Sequence, residues 1–472
     1  MDAEKIRQLR PELRRYLRQF DDCFKDSRTR THLPVYVRGQ LSDLPRKSVE
    51  PMALAEGVPP RTLQEFLSLL DWNEPLMLDR VQQLVAREHA SSRSIGVFDE
   101  TGCPKKGDKT PGVQRQYCGA TGKIENCVVT VHLGYAVDDF HCLLGSDLFL
   151  PKVWSADRER CRKAGIPDTV VYRPKWQIAL ELLDRAMANG VRFSWLTFDE
   201  GYGSKPKFLH ALQRRRQRYV AEVPVTFRGW LQLPYVRDRK GRLRVRRPSS
   251  GVADLLRFSP ALRDQSWQRF RVKDGEKGPI VWEVKHVCFY YQRHDGDPGK
   301  RGHLLVARNV LKPDEVKYFV SNAPPETRVQ TLLLVAFSRW HVERCFEDEK
   351  TELGFDHYEG RNYRGLMRHQ ALTAVSHLFL ERMREQWGEK SGADGLPDPH
   401  GGSRFGTIVV LGEENGQETA GPHRGEDPVP TKTKCQSPKE PHQTNPAETS
   451  ETWHSTNHLE PLLLGREPTL AL

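Results

Sequence analysis

The 472-residue sequence predicts a mixed α/β fold, preceded by a helical segment and interrupted by a β-rich one. Three observations carry that expectation. The apolar periodicity is helical to about residue 90, and it then gives way to short apolar runs that end in acidic residues. Between residues 219 and 322, strand-like runs follow one another with turn residues between them. With 37% hydrophobic and 29% charged residues the chain can bury a sizeable core, which excludes wholesale disorder. No run approaches the ~18 apolar residues of a membrane span. The opening text MDAEKIRQLRPELRRYLRQF lacks an apolar signal core, and nine scattered cysteines without a CxxC pair read as reduced thiols, so a cytoplasmic protein is expected.

Charge is unevenly spread. The 73 Lys+Arg and 62 Asp+Glu give a formal net charge of +11. Residues 388–472 hold 7 basic and 13 acidic residues, which leaves 66 against 49, or +17, for residues 1–387. Such an excess suits a polyanionic partner. The tail is rich in Pro, Gly, Ser, Thr and Asn, and it is expected to be mostly disordered despite the apolar island Thr407 to Leu411.

Residues 1–90 read as a helical domain. Two helix signals, Ser48 to Ala55 and Pro59 to Leu70, flank Glu56-Gly57-Val58. Gly57 suits the C′ position of the first, and Pro59-Pro60 suits the start of the second. Leu63, Phe66, Leu67 and Leu70 share one face of the second, while Arg61, Gln64 and Glu65 lie away from it. The unit has the pattern of a helix-turn-helix DNA reader and equally of a plain helical hairpin.

Residues 91–218 and 323–387 form the α/β body. Ser94 to Phe98 is a strand ending in Asp99-Glu100-Thr101-Gly102, followed by a loop with Lys105, Lys106 and Lys109. Val113–Cys118 and Cys127–Tyr135 read as strands, and Lys175–Asn189 as a helix. Val191 to Phe198 is a further strand, ending in Asp199-Glu200-Gly201-Tyr202-Gly203. The β-rich insertion, residues 219–322, carries the densest basic run. Alternation puts Arg242, Arg244 and Arg246 on one strand face, a pattern that suits phosphate contact and also a charge-protected edge strand. A single long helix is predicted from about Glu326 to Leu353, with Glu343, Glu347 and Lys350 on one face, and another at Tyr363–Arg384. Trp195 and Trp340 read as core residues, and His341 as structural or exposed.

Phe98-Asp99-Glu100 and Phe198-Asp199-Glu200 repeat one short text at two strand exits. If the strands are neighbours, Asp99 and Asp199 stand side by side. Paired carboxylates repel unless a cation lies between them, and magnesium suits a site of few carboxylates plus phosphate oxygens. Either Asp alone would also serve as a cap for the turn that follows it.

FDETG, FDEGYG and RWHVERCFEDEK resemble the three catalytic segments of DDE transposases from bacterial insertion sequences, in the subgroup with a β-rich insertion and a Tyr-Arg-Glu-Lys signature helix. Arg339, Glu343 and Lys350 fall at that signature's spacings, and Ala336 stands where its Tyr would fall. LSDLPRKSVEPMALAEGVPPRTLQ and PKKGDKTPGVQRQYCGATGKIENC share the resemblance, which spans about residues 15–385. It implies a ribonuclease-H-like, retroviral-integrase-like core with Asp99, Asp199 and Glu343 as catalytic acids holding two Mg²⁺, for which Mn²⁺ substitutes. It further implies that Arg339 and Lys350 steady phosphate oxygens. Lys105, Lys106, Arg242, Arg244 and Arg246 are further candidates for DNA contact. Double-stranded DNA, as terminal inverted repeats and target, is then the partner of a homodimer in a bacterial, nucleoid-associated setting. A catalytically inactive, transposase-derived DNA-binding protein is the alternative.

Overall fold

A computed structural model describes residues 3–237, 240, 242–245, 247–275, 278–387 and 410–411. Residues 1–413 make one unit. Its N-terminal part is helical throughout: α1 (Ala3–Leu17), α2 (Ser27–Arg30), α3 (His32–Leu41), α4 (Val49–Ala55), α5 (Pro60–Ser68) and α6 (Glu74–Glu88). Gly57, at φ +68°, closes α4 as read from sequence: Val58 N–H reaches Ala53 O at 2.9 Å and Gly57 N–H reaches Leu54 O at 3.1 Å.

The body begins with β1 (Ile95–Pro104), β2 (Gln114–Cys118), β3 (Lys123–Val137) and β4 (Phe140–Leu148). The strand β4 was not foreseen; FHCLLGSDL is buried on both faces and has no apolar/polar alternation to read. Helices α7 (Lys152–Ala156), α8 (Arg158–Lys163) and α9 (Lys175–Ala188) lead to β5 (Trp195–Phe198), α10 (Glu200–Gly203), α11 (Pro206–Arg214) and β6 (Tyr219–Val223). The strands β1, β3 and β4 form an antiparallel meander; β5 pairs parallel with β1, and β6 parallel with β5.

The stretch read as an insertion contains β7 (Arg228–Trp230), β8 (Tyr235–Arg237), β9 (Leu243–Val245), β10 (Ser250–Gly251), α12 (Val252–Phe258), α13 (Pro260–Arg263), β11 (Gln268–Gly275), β12 (Gly278–Tyr291), β13 (Gly302–Asn309) and β14 (Val316–Ser321). These strands extend the same sheet, because β14 pairs antiparallel with β6 and carries β13 and β12 beyond it. Among the described residues, β8 and β9 alone pair apart, as a two-stranded ribbon with Arg242 beside it and Arg244 on it, both exposed. Arg246 lies outside the described residues.

The predicted single helix is two: α14 (Val329–Phe337) and α15 (Trp340–Thr351). Ser338 interrupts it, its hydroxyl donating to Val335 O at 2.7 Å, so its side chain takes up a carbonyl of the last turn. Apolar periodicity continues across the break, which is why the sequence read as unbroken. Ala336 is buried in α14.

The last long helix, α16 (Tyr363–Trp387), is buried along most of its length and joins the N-terminal helices to the sheet. Tyr16 donates to Val375 O at 2.8 Å, and Gln40 bonds both Thr373 and Ser376. Arg368, 1% exposed, donates to the carbonyls of Phe66, Leu67, Leu70 and Trp72. It thereby satisfies the open C-terminal end of α5 from another element. Among the described residues no helix is long and apolar enough to cross a membrane.

Candidate active site

Strand register decides where the two aspartates meet. Phe98 of β1 pairs with Phe198 of β5, so the next residues, Asp99 and Asp199, stand side by side where the parallel pairing ends; β1, expected from the sequence to end at Phe98, itself runs on to Pro104. Both phenylalanines are fully buried and pack around Phe208, which fixes the two strand ends from beneath. Beyond Phe98, β1 continues against β3, whereas β5 turns into α10. That divergence opens one edge of β1 beside Asp99. Asp199 also caps α10, accepting from Tyr202 N–H at 3.4 Å; the capping role and the juxtaposition coexist.

A third acid was missed. β6 runs parallel to β5 with Phe198 opposite Ala221, so Glu222 follows Asp199 in the same row. Its text, YVAEV, has no neighbour of the Phe-Asp-Glu kind, and only pairing brings it to the site. Gly203 makes the approach possible: a Cβ there would lie 1.9 Å from Glu222 O.

From above, α15 covers this row. Val342 packs over Gly134 of β3. Arg339, at the start of the helix, is 3.4 Å from Asp99 and 3.1 Å from Glu222, which also meets Lys317 at 3.0 Å. Lys350, three turns on, donates to Thr101 of β1 at 2.5 Å. Glu343 lies one turn after Arg339, is exposed, and acts electrostatically on it together with Asp99 and Asp199. Of its sequence neighbours, Glu347 is exposed beside Arg344, and Glu349 is buried on the other side of the helix.

Burial pushes the Asp99 carboxyl up to about 6, with Arg339 pulling it down and Asp199 pushing it further up. Beneath the pair, the Tyr202 hydroxyl is buried without a hydrogen-bond partner among the described residues, and burial and the nearby acids raise it well above its ordinary value. Crowded acids over an orphaned hydroxyl are a donor set that fits a divalent cation.

The remaining candidates separate. Lys106 is exposed, whereas Lys105 turns inward and donates to the carbonyls of Asp356 and Tyr358 at 2.8 and 2.6 Å. That ammonium ties the loop after β1 to the segment after α15. Trp195 is buried, as expected.

The sequence profile of the DDE superfamily endonucleases matches residues 19–279. This chain belongs to that family. The match includes Asp99, Asp199 and Glu222 and ends before Glu343. The resemblance read from the three acidic segments is thereby borne out at family level. The chain is also 27% identical over 355 residues to a probable transposase for insertion sequence element IS701 from Microchaete diplosiphon, covering 74% of this chain and 81% of that one. The NurA nuclease from Sulfolobus solfataricus aligns with 60% of this chain and 92% of its own at 9% identity, with a TM-score of 0.24.

Proposed function

We propose that this DDE endonuclease is a transposase that cuts DNA at the inverted repeats ending its element and joins the freed 3′ ends to target DNA. The observation that carries the reading is the pairing of Phe98 with Phe198, which sets Asp99 beside Asp199 under a helix bearing Arg339, Glu343 and Lys350. The strand order β4-β3-β1-β5-β6, with β5 and β6 parallel to β1, supports a ribonuclease-H-like core.

Asp99, Asp199 and Glu343 would hold two Mg²⁺, or Mn²⁺ in their place. Such ions activate a water or 3′-hydroxyl and stabilise the leaving oxygen. Arg339, already drawn to the acids, orients Asp99 and neutralises phosphate charge, and Lys350 steadies a second phosphate oxygen. The exposed Lys106, Arg242 and Arg244 lengthen the track for a DNA backbone. The N-terminal helical domain supplies DNA binding, with α4 and α5 as its helix-turn-helix and Arg61 and Gln64 exposed on α5. Two element ends require two active sites, hence a homodimer on DNA.

The test is incubation with the element's terminal repeats and Mg²⁺ or Mn²⁺. Nicked and joined products are expected, and both are lost in Asp99→Ala, Asp199→Ala and Glu343→Ala. Cleavage that survives all three changes overturns the assignment. Repeat binding without any cleavage would select the inactive, transposase-derived alternative.

A further inference from the structure

A second group of metal-ligating side chains lies inside the protein, on the opposite face of α15 from Glu343. At 100° per residue, Cys345 and Asp348 are turned well away from Glu343, and both are buried where it is exposed. His141 of β4, Asp348 of α15, and His377 and Glu381 of α16 each offer one ligand atom, all within 4.8 Å of one another. None of the four side chains is more than 3% exposed.

The hydrogen positions make this group unusual. His141 Nδ1 lies 3.3 Å from Asp139 O, a carbonyl that can only accept, so the ring proton belongs on Nδ1. Nε2 then presents a lone pair to Asp348 Oδ2 at 3.6 Å and to Glu381 Oε1 at 3.9 Å, and it has no hydrogen-bond partner among the described residues. His377 also sits between carboxylates, with Nδ1 3.4 Å from Glu349 and Nε2 3.7 Å from Glu381, and neither nitrogen has a hydrogen-bond partner among the described residues; whichever nitrogen carries no proton presents a lone pair to a carboxylate. Acceptors facing acceptors in a dry interior are unfavourable unless a cation lies between them.

Distance and charge agree. The separations exceed hydrogen-bonding length but approach the roughly 3.3–3.4 Å edge of a tetrahedron around an ion with bonds of about 2.0–2.1 Å. Asp348, Glu349 and Glu381 crowd three carboxyl groups into this interior beside the guanidiniums of Arg344 and Arg384, surroundings that favour a cation. Arg384 Nη1 donates to the same two oxygens, Asp348 Oδ2 and Glu381 Oε1, that face His141, so a bound ion would share them with the guanidinium, which would hold both ligands in place. The Cys345 thiol also falls within 4.8 Å of both histidine donors, which favours a borderline-soft ion over magnesium.

We propose that His141, Asp348, His377 and Glu381 bind one divalent ion of the zinc class, a structural site distinct from the acids at Asp99. The ion staples α15 to β4 and α16. It thereby sets the rotation of the helix that carries Glu343.

The test uses full-length protein carrying Asp99→Asn and Asp199→Asn, so that the other acid pair does not confuse the reading. After purification without added metal and dialysis against EDTA, elemental analysis should find about one zinc per chain; otherwise Zn²⁺ is taken up again with a rise in melting temperature. Co²⁺ in its place should give the visible bands of a four-coordinate ion. His377→Gln should lose the ion and those bands while keeping its helical circular dichroism. If that variant fails to fold, the cobalt spectrum of the parent still decides. A parent that holds no metal, takes up neither Zn²⁺ nor Co²⁺ and melts unchanged would overturn the proposal, leaving an imidazolium as the buried counter-charge.

Discussion

Arg339 lies 3.4 Å from Asp99, and its other terminal nitrogen lies 3.1 Å from Glu222, two strands away in the sheet. The guanidinium is therefore held from below by an acid at the edge of the row. Glu222→Gln is expected to keep the fold but loosen Arg339, lowering metal-dependent cleavage about 10- to 100-fold. Single-turnover cleavage would measure it. A rate within about twofold of the parent would remove Glu222 from the site.

Glu343 and Glu347 differ by one turn on α15, and Glu343 is among the acids whose charge acts most on Arg339. Glu343→Gln should lower cleavage by at least about 10²-fold with DNA binding retained in a gel-shift assay. Glu347→Gln should leave the rate near that of the parent. The opposite ranking would transfer the third acid to Glu347.

Gly203 has no room for a side chain, since a Cβ would press on the Glu222 carbonyl at 1.9 Å. Gly203→Ala is expected to push α10 from β6 at a cost of about 1–3 kcal/mol, with Asp199 displaced. Urea unfolding and cleavage should both suffer. A variant as stable and active as the parent would contradict the close approach.

Arg368 carries the junction between the N-terminal helices and the body. Arg368→Met removes the donor to four carbonyls, a loss of roughly 3 kcal/mol or more in urea unfolding. Tryptophan fluorescence should report it directly, because the guanidinium also lies 4.4 Å from the Trp72 ring. An unchanged unfolding midpoint would refute the role.

Two buried histidines set an acid limit. Burial, reinforced by Lys350, lowers His132 to about 3. Burial also lowers His369 to about 4, its Nδ1 accepting from Tyr36 and its Nε2 donating to Phe355 O. Unfolded, both bind a proton near pH 6.5, so below that the unfolded state takes up more protons and stability falls as pH falls. The contribution is full above about 6.5 and is lost at about 1.4 kcal/mol per pH unit for each histidine, down to about 4 and 3. Melting temperatures should drop between pH 6.5 and 4; a flat profile would mean that these rings are charged in the fold.

Local chemistry was legible in the chain itself. Gly57 ended α4 because only a residue tolerant of positive φ closes that turn without strain, and the second Phe-Asp-Glu text marked the exit of β5; at the first, β1 runs on through Asp99 to Pro104 because its pairing with β3 continues. The single helix from Glu326 failed at Ser338, where a hydroxyl takes up a backbone carbonyl that apolar periodicity does not register. Tertiary structure alone decided that Phe98 pairs with Phe198, that Glu222 joins the row, and that Lys105 turns away from solvent. It alone also gathered His141, Asp348, His377 and Glu381, which are spread over 240 residues of sequence. The physical reason is the same in each case. Helix caps and strand exits are set by neighbours in the chain, whereas strand register and buried charge are settled by groups brought together only when the core closes.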